Sequence, residues 1–269
     1  MTSHTLLALL GASGVAAGFL AGLFGVGGGL VMVPVLVYAF SAAAVPAQHI
    51  VALAIGTSMA AIVVSAMQSA YGHYRRGSAS AITFKRATPW VILGVLLGSA
   101  IASGTSGHSL LLFVGGFQLV AAALMIADVS KLAVVQSVAR NGAALNVFSI
   151  ACGGIAALAG IGGSTLFTPY FKATGMETKQ AVGTSAALGL PISVAGAIGY
   201  AWAGRNAHVG DWAVGFVYLP ALLALVAGAF VTVRAGVALA HRLPARTLST
   251  CFGLFLCANG AHLLLRAAA

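Results

Sequence analysis

The sequence predicts an all-α polytopic membrane protein. It is built from two inverted homologous repeats, each with three full spans and a glycine-broken helical hairpin, about eight to ten membrane segments in total. Three observations predict this. The 269 residues are 60% hydrophobic and only 6% charged, with a mean hydropathy of +1.04; a soluble domain carries roughly 25% charged residues. The apolar residues fall in runs near the roughly 20 residues that a helix needs to cross the hydrocarbon layer. A glycine-rich motif occurs twice at a fixed spacing. Thirteen Lys+Arg against three Asp+Glu would suggest nucleic acid in a polar chain. Here the basic residues sit in short breaks between apolar runs, the pattern of membrane loops, so the partner is the lipid bilayer and not nucleic acid. Cys152, Cys251 and Cys257 lie inside apolar runs without metal or disulfide spacing, and no cofactor or metal site is expected.

The first run, Thr5–Phe24, has no Lys or Arg ahead of it and reads as a membrane segment, not a cleaved leader. The cluster Gly25-Val26-Gly27-Gly28-Gly29 follows, then a short apolar stretch Leu30–Phe40 containing Pro34. Full spans come next at Ile50–Tyr71, Thr88–Ser103 and Leu110–Ala127. Beyond a linker with Lys131 and Arg140 the order repeats: Ala143–Ala159, the cluster Gly160-Ile161-Gly162-Gly163-Ser164, and a short stretch Thr165–Ala173. The spans Gln180–Ala203, Trp212–Val233 and Leu248–Leu265 complete the chain, read as one membrane domain over 1–269.

At an offset of 135, Ala16, Gly18, Ala21, Leu23, Gly25, Gly27, Gly28 and Pro34 match Ala151, Gly153, Ala156, Leu158, Gly160, Gly162, Gly163 and Pro169. Further on, Gly56-Thr57-Ser58 matches Gly183-Thr184-Ser185 at an offset of 127. An Ala/Gly-rich composition does not easily produce this register by chance, so repeat 1 spans 1–130 and repeat 2 spans 140–269. Lys and Arg stay cytoplasmic, which sets the orientation. With a hairpin at each cluster, one side receives Arg75, Arg76, Lys85, Arg86, Lys131, Arg140, Lys172, Lys179, Arg234, Arg242 and Arg246, and the other only Arg205 and Arg266. A single crossing at each cluster gives a far weaker bias. The inverted arrangement, with both termini outside, therefore fits best; one crossing combined with one hairpin gives the same split but breaks the repeat symmetry.

Inverted repeats with interrupted helices point to a transporter whose site lies near the bilayer midplane. Glycine allows positive φ and close approach, leaving backbone N–H groups free to face a ligand. Gly27, Gly28 and Gly29, with Gly162, Gly163, Ser164 and Thr165, each lead into a short helix whose N-terminus favours an anion. Thr57, Ser58, Thr184 and Ser185 either donate to that anion or bond back to their own helices, the usual fate of membrane hydroxyls. Pro34, Pro169 and Pro191 read as kinks or helix-start devices, and Val64 stands where Pro191 would be in the first repeat. Gln68, Gln118, Asn141, Asn146 and Asn259 read first as interhelical hydrogen-bond partners. Asp128, Glu177 and Asp211 fall at span ends or in loops, so no central carboxylate is available to hold a proton or sodium.

These residues resemble the TauE/SafE family of sulfite and organosulfur-anion exporters. The resemblance rests on Ala17-Gly18-Phe19-Leu20-Ala21-Gly22-Leu23-Phe24-Gly25-Val26-Gly27-Gly28-Gly29, its continuation to Pro34, the weaker copy from Gly160 to Pro169, and the Gly-Thr-Ser triplets. It implies a multi-pass permease of a bacterial inner membrane for sulfite, sulfoacetate or a related organosulfur anion, not an enzyme, and leaves room for a homo-oligomer. The second cluster departs in having Ser164 and Thr165 where the first has Gly29 and Leu30. An anion channel is the alternative. A serine protease built on Gly11-Ala12-Ser13-Gly14 with His262 is remote, because it leaves the duplication unexplained.

Overall fold

A computed structural model describes residues 3–24, 28–43, 45–126, 142–207, 209–240 and 245–268. Among these the chain forms ten helices and one short hairpin. The helices are α1 (Ser3–Phe24), α2 (Gly29–Ala42), α3 (Ala47–Arg75), α4 (Ala81–Gly104), α5 (Gly107–Ile126), α6 (Gly142–Ala159), α7 (Ser164–Ala173), α8 (Thr178–Ala203), α9 (Leu219–Ala240) and α10 (Ala245–Ala268). The segments Ala47–Arg75, Ala81–Gly104, Thr178–Ala203 and Thr250–Ala268 are long and apolar enough to cross a membrane. Leu223, Phe230, Val231 and Leu254 stay exposed on helix faces, as lipid contact requires. The buried polar side chains among the described residues are all neutral: Thr57, Ser58, Ser99, Gln118, Ser149, Thr184, Ser185 and Ser193.

Two helix starts differ by about two turns from the runs expected from the sequence. The run expected to start at Thr88 starts two turns earlier, at Ala81, because Ser80 caps the helix by accepting from the Thr83 N–H at 3.4 Å. The run expected from Trp212 begins as a helix only at Leu219. Residues Ala213–Val214 (β1) and Val217–Tyr218 (β2) form an antiparallel hairpin instead. Its turn presses Gly215, at φ 57°, against the Ala201 carbonyl at the end of α8.

The longest pair, α3 and α8, runs antiparallel. A Cβ at Gly56 would come within 2.9 Å of the Tyr200 Cβ, one at Gly196 within 3.0 Å of the Met59 sulfur, and one at Gly189 within 3.8 Å of the Ala66 Cβ. Falling numbers on α8 thus meet rising numbers on α3. The pair α5 and α10 is also antiparallel and crosses where Gly115 and Gly260 each face the other's carbonyl. By contrast α1 lies parallel to α9, with Gly14 on Ala224 and Gly18 on Ala229, and α6 lies parallel to α4, with Gly153 on Val91 and Gly98 on Gly154. Close backbone approach through small residues is how membrane helices gain contact without a hydrophobic drive.

Candidate functional site

The two glycine breaks touch. Gly28 caps α2 at φ 81°, and its carbonyl accepts from the Val31 and Met32 N–H groups at 3.0 and 2.8 Å. Gly160 ends α6 at φ 67°. These left-handed values suit glycine and cost other residues roughly 1–2 kcal/mol. A Cβ added at Gly29 would collide with the Gly160 carbonyl and come within 2.8 Å of the Ile161 Cα. The Ser58 hydroxyl donates to that same Gly160 carbonyl at 3.3 Å. Gly162 lies under Ile62, and a Cβ there would have a methyl at 3.9 Å. Gly163 packs on α8, where a Cβ would meet the Ile192 Cδ1 at 2.9 Å and the Ser185 carbonyl at 3.2 Å. Ala47–Arg75 is centred on residue 61 and Thr178–Ala203 between 190 and 191. The breaks therefore sit beside the middle of both long helices, and Gly28, Gly29 and Gly160–Gly163 are all buried there. Gly27 lies outside the described residues; Ser164 opens α7, but its side chain also lies outside them.

The Gly-Thr-Ser triplets do something the sequence reading did not foresee. Thr57 on α3 accepts a hydrogen bond from the Tyr218 N–H, just before α9, at 3.0 Å. Thr184 on α8 accepts from the Ser80 N–H, just before α4, at 2.9 Å. The glycine ahead of each threonine makes the approach possible. A Cβ at Gly56 would strike the Phe216 carbonyl, and one at Gly183 the Ser78 carbonyl. Each long helix thus grips the connection that follows the other. Both threonine oxygens accept a backbone bond; the Thr184 hydroxyl also donates to the Met176 sulfur at 4.0 Å, and the Thr57 proton is left for a further partner. The serines diverge: Ser58 reaches across to Gly160, whereas Ser185 bonds back to its own helix at Ala181 at 2.7 Å.

Several buried polar atoms have no partner. They are Gln118 Oε1, Asn146 Oδ1, Ser149 Oγ, Thr165 Oγ1 and the Tyr170 hydroxyl. The last four lie on α6 and α7, and at the offset of 135 their counterparts are Gly11, Gly14, Leu30 and Val35, none with a polar side chain. Their apolar surroundings concealed Ser149 and Tyr170 from a reading based on glycine motifs. Gln118 explains itself in part. Pro34 has no N–H, so the Leu30 carbonyl, four residues earlier, loses its helical donor. The Gln118 Nε2 replaces it at 3.3 Å. Among the other expected polar residues, Asn259 bonds to its own helix at Phe255 and Gln68 is exposed, while Asn141 lies outside the described residues. Pro169 and Pro191 sit inside α7 and α8, which continue through them.

Charge separates the two ends of the central pair. The elements that meet where the α3–α4 connection docks on α8 carry the exposed cations Arg75, Arg76, Lys85, Arg86, Lys172 and Lys179 and a single carboxylate, Glu177. At the opposite end Arg205, stacked over Trp202 at 4.5 Å, stands with Asp211. There a cavity of about 230 Å³ opens between the end of α2 and the hairpin, lined by Phe40, Pro46, Leu53, Asp211 and Tyr218 among others. Among the described residues no three His, Cys, Asp or Glu side chains are placed to hold a metal ion. The Gly11–Gly14 tetrad lies within α1, with Gly14 packed on Ala224, and His262 is exposed on α10.

Residues 10–263 match the family model described as sulfite exporter TauE/SafE. The chain belongs to the TauE/SafE family. A probable membrane transporter protein of Haemophilus influenzae is 32% identical over 272 residues, covering 99% of this chain and all of its own length. One from Xylella fastidiosa is 32% identical across 69% of this chain and 70% of its own, and one from Methanocaldococcus jannaschii 24% identical across 97% and 96%. No solved structure gives a significant match. With this TauE/SafE membership and its apolar helices, the protein is a multi-pass membrane transporter.

Proposed function

We propose that this TauE/SafE protein is a secondary transporter that exports a small anion, sulfite or an organosulfonate, from the cytoplasm of a bacterial cell across its inner membrane. The observation that carries the reading is the meeting of the two glycine breaks beside the midpoints of α3 and α8. Helix starts at Gly29 and Ser164 place orphan N–H groups and positive dipole ends at that depth. Inverted repeats over 1–130 and 140–269 account for the antiparallel run of the sequence-matched helices α3 and α8 and for their exchanged threonine bonds. Gly28, Gly29, Gly162, Gly163 and Thr165 form the anion site in this reading. Ser58 shapes it through Gly160, and Thr57 and Thr184 hold the connections that frame it. The cation-rich end faces the cytoplasm, and the cavity beside Asp211 lies at the outer mouth. One negative charge leaving a negative-inside cell gains about 2.3 kcal/mol per 100 mV, so export needs no coupled ion.

The test is flux of sulfite and sulfoacetate in proteoliposomes under an imposed potential. Saturable flux driven by the potential, and lost in Gly163→Val with the protein still inserted, supports a carrier. Flux without saturation makes it a channel. Full flux in Gly163→Val removes the breaks from the site.

A further inference from the structure

We infer that the site takes its substrate as a singly charged oxyanion that still carries one acidic O–H, and that Gln118 reads that proton. This rests on the transport reading above and narrows its substrate class. Gln118 is 1% exposed. The orientation of its carboxamide is fixed by chemistry, because the Leu30 carbonyl freed by Pro34 only accepts, so the amide must present Nε2 to it. The Oε1 is then turned away from that carbonyl, buried and without a donor. Leu30 is the second residue of α2, next to Gly28 and Gly29 and so next to the second break at Gly160.

With that free oxygen turned toward the breaks, the site pairs orphan backbone donors with one orphan acceptor. A sulfonate offers only acceptor oxygens and leaves Oε1 facing lone pairs. A hydrogen sulfite-type monoanion fills both, its O–H donating to Gln118 and its other oxygens accepting from the helix starts. Charge points the same way. The buried polar side chains are all neutral, so nothing among the described residues offsets a second negative charge at this depth. The histidines and thiols carried by the helices packed on α5 are His49 and His73 of α3, Cys152 of α6, and Cys251, Cys257 and His262 of α10, with His49 set against Phe216 and His73 bonded to Ser78. Cys152 alone is fully buried, and His108 of α5 itself is exposed, as are Arg75 and Arg266 at helix ends. The titrating group that matters is the substrate's own.

The experiment compares two isosteric competitors of sulfite flux in proteoliposomes, methylphosphonate and methanesulfonate, at pH 6 and pH 9. At pH 6 methylphosphonate is a monoanion with one O–H, and it should compete about tenfold better, the factor supplied by one hydrogen bond of ordinary strength. The advantage should vanish at pH 9, where that proton is gone, and in Gln118→Met at pH 6. Equal competition by wild-type protein at pH 6, with sulfite flux intact, overturns the inference and leaves the transport reading standing; so does a preference that survives in Gln118→Met. Absence of any sulfite flux or binding removes the transport reading and this inference with it.

Discussion

The two glycine breaks occupy matching places and are finished differently. At the first, the left-handed residue is Gly28, the cap of α2 itself; at the second it is Gly160, three residues ahead of the α7 cap, while Gly163 has ordinary helical φ. The first is followed by Leu30 and Val35 and braced by Gln118 on a carbonyl that Pro34 exposes. The second is followed by Thr165 and Tyr170, whose buried hydroxyls have no partner. The first break is apolar and braced, with only the Gln118 Oε1 left free beside it; the second carries unpaired hydroxyls of its own. Similar backbone reversals can therefore carry unequal chemistry, and under the proposed function the unpaired hydroxyls would make the second half the side that meets the anion's oxygens.

The sharpest way to test that contrast is first to set aside what the two halves share. Gly56→Val and Gly183→Val should both abolish folded protein, because each drives a side chain into a backbone carbonyl where overpacking costs about 3 kcal/mol or more. If only one variant fails, by detergent-solution melting, the docking is not reciprocal. Next in size, Gly28→Ala and Gly160→Ala should each lose about 1–2 kcal/mol from the left-handed backbone. Gly160→Ala should be the worse, because its Cβ would also press within 2.5 Å of the Val33 side chain.

Thr165→Val separates the breaks by sign. Removing an unpartnered buried hydroxyl should raise stability by about 1 kcal/mol while weakening apparent sulfite affinity about fivefold. Unchanged affinity would return Thr165 to packing. The smallest effect is expected from Thr57→Val and Thr184→Val. Each loses one backbone-to-hydroxyl bond, about 1 kcal/mol in melting experiments, with little change in apparent affinity. A larger loss of affinity than of stability would place those hydroxyls on substrate.

Much of the helix order was legible because apolar runs and glycine or proline breaks are local signals. The start of α9 was not. Trp212 and Val214 are apolar enough to extend the run, and it is long-range contacts, Gly215 on the Ala201 carbonyl, the Phe216 N–H on the Tyr200 carbonyl and the Tyr218 N–H on Thr57, that hold them in a hairpin. The triplets were visible as a repeat, yet their partners Ser80 and Tyr218 are backbone groups that leave no trace in residue type. Gln118 was visible as a polar residue in an apolar run. Its task follows from Pro34 on another helix, and that pairing exists only in three dimensions.

The exchanged threonine bonds also bear on how the chain is made. A ribosome releases α1–α5 first, at a time when Thr57 has no Tyr218 to hold and the Ser80 amide has no Thr184 to meet. The early product must wait in the bilayer as an open half, exposed to quality-control proteases, until the late half emerges and closes both clasps at once. Splitting the gene at the 127–141 segment should therefore yield two fragments that are short-lived apart and persist when synthesised together.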